Sequence, residues 1–143
     1  MSQTTDLSQL VQQLQPRLNP GVYCFCILPQ GVPIPGGTIG YFTEVEGITV
    51  IVPIEIAQKT GLVIGFMADW ITLNVQSDLA AVGLTAMVSG ALAQDGISCN
   101  VVAAYHHDHL FVPAGRGQEA VDLLLVNLTA SREGLELPTA NGG

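Results

Sequence analysis

The sequence predicts an α+β fold, a sheet that carries helices on one face. Three observations lead there. From Trp70 onward the apolar residues switch between strand and helix spacing in the order β-α-β-β-α. A continuous apolar run from Val22 to Leu28 adds a strand from the first half of the chain. Of 143 residues, 48% are hydrophobic and 11% charged, which is ample material for a shared core in a chain too short for two large domains.

Each element has a local reason. Leu7, Leu10, Val11 and Leu14 are spaced as one helical stripe, with Asp6 as a cap, Gln9 at capping-box distance and Pro16 as the stop. Asn19-Pro20-Gly21 signals a turn before Val22 to Leu28, a strand expected to be buried on both faces. Prolines and glycines make Pro29 to Gly37 a loop. Thr38 to Val45 and Ile48 to Val52 are β-rich and read as a hairpin about Glu46-Gly47. Pro53 can start a short helix over Ile54 to Thr60, with Glu55 and Lys59 as an i, i+4 pair and Gly61 as its left-handed stop.

The second half is more regular. Trp70 to Val75 alternates, with Ile71, Leu73 and Val75 on one face. Gln76 to Gly83 is a polar-to-small connection. Leu84, Met87, Val88, Ala91 and Leu92 form a helical stripe closed by Asp95-Gly96. Ile97 to Tyr105 and Asp108 to Val112 are strands, and Val121, Leu124, Leu125 and Leu128 mark a last helix. A ferredoxin-like βαββαβ sheet would need one more strand. Glu133 to Leu137 is short and charged, so Val22 to Leu28 is the better candidate, and the two halves are then not independent.

Charge excludes several partners. Twelve Asp+Glu against four Lys+Arg give a net charge of −8. Phosphate backbones and anionic membrane surfaces need clustered cations, but Arg17, Lys59, Arg116 and Arg132 are scattered, so neither nucleic acid nor membrane is an expected partner. The apolar runs are too short to span a bilayer, and Met1 to Asp6 has no signal-peptide character. Cys24, Cys26 and Cys99 form no evident framework, which fits the cytoplasm. So little surface charge implies apolar surface covered by a partner, most simply a second copy.

The run Gly83-Leu84-Thr85-Ala86, the apolar helix after it and the stretch from Ala91 to Ser98 resemble an ACT domain, a small regulatory module that commonly binds amino acids. Gly83 matches the loop glycine, Gly96 and Ile97 match the turn, and Ser98 stands where the pattern often has Asn. Gly83 through Val112 is similar to the ACT repeats of aspartate kinases. The segment Asn100 to Pro113, with Leu18-Asn19-Pro20-Gly21 and Ala81 to Thr85, is similar to small stand-alone bacterial proteins with tandem ACT-like halves. The resemblance covers about residues 6 to 130. It implies a ferredoxin-like βαββα(β) domain over 62–132, a smaller ACT-like half over 1–61 that completes it, and a flexible tail over 133–143.

The resemblance also implies a site. A glycine before a helix lets backbone N–H groups approach a carboxylate. The expected ligand-binding residues are Ser77, Asp78, Val82, Gly83, Leu84 and Thr85, facing Ile97, Ser98 and Asn100. Asp78 could receive an ammonium group or simply cap the helix. The resulting reading is a non-enzymatic, cytoplasmic, homodimeric regulator that binds a small molecule, an amino acid, with no cofactor and no metal. The helix positions Ala86, Ser89, Gly90 and Ala93 are small and uncharged where a solvated face would carry Lys or Glu, which points to a dimer contact.

Two further readings stay open. His106, His107, Asp108 and His109 could make a metal-binding protein or a metal-dependent enzyme, His107 and His109 sharing one strand face. If the segment is instead a hairpin turn, the same residues cap the sheet and bond to backbone. Alternatively, the chain is a structural interaction module without a ligand. Cys24 and Cys26 share a strand face at a spacing of about 6.5–7 Å, which suits buried small side chains better than a disulfide. No nucleophile motif, phosphate loop or dinucleotide fingerprint is present.

Overall fold

A computed structural model describes residues 14–74 and 83–132, leaving aside the side chains of Leu84 and of 127–132. In chain order the elements are β1 (Arg17–Leu18), β2 (Tyr23–Leu28), β3 (Gly40–Thr43), β4 (Ile48–Pro53), α1 (Ile54–Thr60), β5 (Val63–Leu73), α2 (Leu84–Gln94), β6 (Asn100–Ala103), β7 (Asp108–Pro113) and α3 (Gly117–Arg132). The strands form one antiparallel sheet in the order β3-β4-β2-β5-β7-β6, with β1 also paired to β5.

β5 is the shared element. Its first part pairs with β2 from Ile27↔Val63 to Tyr23↔Ala68, and its second part pairs with β7 from Ala68↔Pro113 to Leu73↔Asp108. It begins well before Trp70, because Val63 to Asp69 lacks clean alternation yet is held against β2. The strand missing from the second βαββα unit is β1, which lies beside β5 opposite β7 through Arg17↔Thr72 and Leu18↔Ile71. Backbone bonds Asn74 N–H to Leu14 O (2.8 Å) and Asn19 N–H to Trp70 O (2.8 Å) extend that pairing at both ends. The segment Val22 to Leu28, expected in that role, serves the first part of β5 instead.

Register explains the layers. Cys24 faces Val52 and Met67, and alternation along β5 puts Met67, Ile71 and Leu73 on the same face. The three helices among the described residues pack there. Ala57 of α1 is buried with Cys24, Cys26, Leu28, Val50 and Val52. Val88 and Leu92 of α2 and Ala120, Val121 and Leu124 of α3 are buried with Ile71, Leu73, Leu110, Val112 and Leu14. Leu14 is the one residue of the expected N-terminal helix that lies within the described residues. All but Gly83 of the connection expected over Gln76 to Gly83, and the tail expected over 133–143, lie outside them.

The opposite face is aromatic. Tyr23, Phe25, Phe66 and Trp70 surround buried Phe111, Ile51 and Ala68. Ring pairs Tyr23–Trp70 (5.0 Å) and Phe25–Phe111 (5.2 Å) meet edge to face, and Trp70 stacks on Phe111 at 6.2 Å. Each such pair is worth about 0.5–1.5 kcal/mol beyond its buried area. The expectation that β2 is buried on both faces is corrected here. Cys24, Cys26 and Leu28 are buried, but Ile27 is 41% exposed, because among the described residues no helix covers that side of β2.

Helix ends follow local chemistry. Pro53 stands just outside α1 as its N-cap, not in its first turn, and Gly61 closes the helix in the left-handed conformation (φ 67). α3 starts at Gly117, earlier than its apolar stripe, because Asp69 Oδ2 accepts hydrogen bonds from the N–H groups of Gly117 (2.8 Å) and Gly115 (3.0 Å). Gly117 permits that approach. A Cβ there would lie 2.6 Å from Leu18 Cδ1 and 2.7 Å from Asp69 Oδ2.

Candidate ligand-binding site

Two places near the end of β5 can meet a ligand, one on each side of the sheet. The first is the start of α2. Gly83 has φ 101, a conformation that strains any L side chain, and its carbonyl accepts the N–H of Met87 at 2.9 Å. No side chain among the described residues caps this helix, and no acidic residue sits in its first turn. Helix N-termini of this kind favour anions through their leading N–H groups. Thr85 follows on the surface, whereas Ser77, Asp78 and Val82 lie outside the described residues and of Leu84 only the backbone is described.

The other expected residues stand at the far end of the same helix. Ile97 follows the Gly96 turn and is 1% exposed, packed in the core, so it can offer a ligand only its backbone. Ser98 and Asn100 are exposed, and Asn100 opens the edge strand β6 opposite Phe111. The 11 residues of α2 separate Gly83 from this group by about 16 Å. Within one chain the two halves of the expected site are apart.

The second place is a polar cavity of about 370 Å³ on the aromatic face, lined by Gln15, Arg17, Thr72, Asn74 and His107. Its size is that of a small-molecule pocket, for which about 300–1,000 Å³ is usual. Asn74 Nδ2 donates to Gln15 Oε1 at 2.9 Å. Arg17, brought against Thr72 by the β1–β5 pairing, makes no ion pair; among the described residues the one such pair is Arg116–Glu119. The ring of His107 has a buried Nδ1 without a hydrogen-bond partner. Such an orphan costs about 1–3 kcal/mol.

A hydrogen-bond chain holds Thr72, one of the lining residues, in place. Asn19 Nδ2 donates to Trp70 O (3.2 Å) and to Thr72 Oγ1 (2.9 Å). Thr72, buried at 5% exposure, sits 3.2 Å from His109 Nδ1, and Trp70 Nε1–H donates to the same nitrogen at 3.0 Å. An indole N–H can only donate, so His109 Nδ1 is an acceptor and the imidazole proton resides on Nε2. Burial pushes His109 below the ordinary histidine value, and the charges of His107 and Arg17 push the same way against the opposing Asp108. Burial raises Asp108 above the usual carboxylate value, against the pull of His109.

The histidines divide between turn and strand. His106 is exposed in the β6–β7 turn, Ala104 N–H donates to His107 O (3.0 Å), and His109 is on β7. Among the described residues no group of three His, Cys, Asp or Glu side chains is placed to hold a metal ion. The turn reading fits the position of His106 and His107 alone: His109 lies on a strand, and its ring meets the side chains of Trp70 and Thr72. Sequence reasoning missed Gln15, Arg17, Thr72 and Asn74. One signal was available: Arg17 is among four cations in an acidic chain and directly precedes the Leu18-Asn19-Pro20-Gly21 segment.

ACT domain models match residues 2–69 and 66–125. A crystal structure from Vibrio cholerae, titled as a protein of unknown function and possible transport protein, is 38% identical with a TM-score of 0.72 and covers 85% of this chain and 95% of its own. A structure from Agrobacterium tumefaciens is 20% identical (TM-score 0.62, 81% and 89% coverage). The regulatory subunit of aspartate kinase from Thermus flavus is 11% identical (TM-score 0.57, 78% and 95% coverage). At these identities the last two share the fold. No curated protein matches the chain. With two consecutive stretches fitting the same domain and β5 common to both, the chain belongs to the ACT domain family.

Proposed function

We propose that this protein is a cytoplasmic regulator that binds a small molecule, an amino acid, through the glycine-led start of α2, and works as a homodimer. The observation that carries the reading is Gly83: its positive φ, the lack of a side-chain cap among the described residues and a first turn without acidic residues suit the helix start to a carboxylate. Ser77, Asp78 and Val82 precede Gly83 in the chain, and Leu84 and Thr85 follow it. Ser98, Asn100 and the Ile97 backbone reach a ligand from a second copy, since about 16 Å of helix separates them from Gly83 in one chain. Ala86, Gly90 and Ala93 are exposed on α2 and leave room for a close neighbour, which supports association. Among the described residues no helix is long and apolar enough to cross a membrane.

The test is a thermal-shift screen of the twenty amino acids, followed by calorimetry of any that stabilise the protein. Gly83→Val should abolish binding of the hit, because its Cβ and branched methyls enter the space a carboxylate needs and the backbone disfavours them. Unchanged affinity in Gly83→Val, or no stabilisation by any amino acid, refutes the reading.

A further inference from the structure

We propose that the cavity on the aromatic face of the sheet is a separate binding site for a small organic acid that has a carboxylate but no ammonium group. It uses none of the residues that carry the amino-acid reading, so each site stands or falls by itself.

Three features of the cavity select this ligand. Among the described residues of its lining Arg17 is the one cation and none is a carboxylate, so they match the single negative charge of one carboxylate. In a chain of net charge −8, the Arg17 guanidinium is exposed at a polar recess without an ion-pair partner among the described residues, so it is free to take a carboxylate in a bidentate pair. The neutral groups are biased toward donation. Asn74 Nδ2 engages Gln15 Oε1, which leaves Gln15 Nε2 available as a donor. The ring of His107 has no partner at Nδ1, so turning it about Cβ–Cγ breaks no hydrogen bond there and can present an N–H to the cavity.

An α-amino acid fits this set poorly. Its ammonium would lie beside the carboxylate, near the guanidinium, with no anionic group among the described lining residues to receive it. A 2-oxo or 2-hydroxy acid keeps the carboxylate and replaces the ammonium by an oxygen that accepts from Gln15 or Thr72. Inorganic phosphate shares the oxyanion chemistry, but its second charge has no second cation to meet.

The experiment is titration calorimetry at low ionic strength with two matched pairs, 2-oxoglutarate with L-glutamate and 4-methyl-2-oxopentanoate with L-leucine, and with inorganic phosphate. The expected result is that one oxo acid binds at least about tenfold tighter than its amino-acid partner and that Arg17→Gln weakens it by about tenfold or more. Arg17 and Asn74 are both exposed, so Arg17→Gln and the cavity-filling Asn74→Leu should keep the parent circular dichroism and melting temperature, and either variant alone can report the loss. The same oxo acid should still bind Gly83→Val, which separates this site from the helix start. The proposal is overturned if no oxo acid binds, if the amino acid of each pair binds equally well through Arg17, if phosphate alone binds, or if a folded Arg17→Gln or Asn74→Leu variant retains full affinity.

Discussion

Replacing Trp70 by Phe removes the group that keeps His109 unprotonated at Nδ1, and it should change both stability and its pH dependence. The indole N–H donates at 3.0 Å to a partly buried acceptor. Losing such a bond costs about 0.5–1.5 kcal/mol net. The same change shortens the ring that stacks on Phe111 at 6.2 Å and meets Tyr23 at 5.0 Å, for about another 0.5–1.5 kcal/mol. The sum is roughly 1–3 kcal/mol. For 143 residues the unfolding entropy converts 1 kcal/mol to about 3 °C, so the melting temperature should fall by about 3–9 °C near neutral pH.

The sign of the pH effect follows from the direction of the shift. The folded-state value of His109 lies below its unfolded value of about 6.5, so its contribution to stability is complete above that pH. It is lost as the pH falls from there through the folded value. With Phe at position 70, Nδ1 is free to take a proton, the folded value rises and this window narrows. Melting followed by circular dichroism at about pH 7.5 and pH 5.5 should therefore show a smaller acid destabilisation in Trp70→Phe than in the parent. Proton NMR of the His109 ring should show its titration moved upward. An unchanged His109 titration, or an equal or larger acid loss in the variant, would refute the hydrogen-bond argument.

Three further outcomes are expected. Gly117→Ala should destabilise by about 1–3 kcal/mol in urea unfolding, because its Cβ would sit 2.6–2.8 Å from Leu18 and Asp69 at the start of α3; a neutral result would show that these neighbours yield freely. Burial raises all three thiols, Cys99 to about 11, so at about pH 8 roughly one Cys99 in a thousand is thiolate and a disulfide-exchange reagent should react slowly until denaturant is added. Light scattering at micromolar concentration should give about twice the 15.0 kDa chain mass, and a monomer would remove the second copy from the proposed amino-acid site.

What the sequence determined by itself was local. The stripe Leu84, Met87, Val88, Ala91, Leu92 makes a helix wherever it is placed, Gly61 and Gly83 specify left-handed backbone through their missing Cβ, and the Glu46-Gly47 break turns one β run back on another. The ferredoxin-like order was legible because it is a sum of such local preferences, sharpened by the resemblance around Gly83 and the histidine segment. Tertiary structure alone decided which strands lie side by side. Arg17 meets Thr72 and Thr72 meets His109 only through β-ladders that close long loops, so nothing in the spacing of those residues announces a common cavity. It also decided that β1 supplies the last strand and that one face of β2 stays open. The sequence placed Gly83 and Ser98 near each other in chain order, but a rigid helix of about 16 Å holds them apart in space. Hydrogen bonds between strands form wherever edges meet, and where they meet is a property of the whole chain's packing.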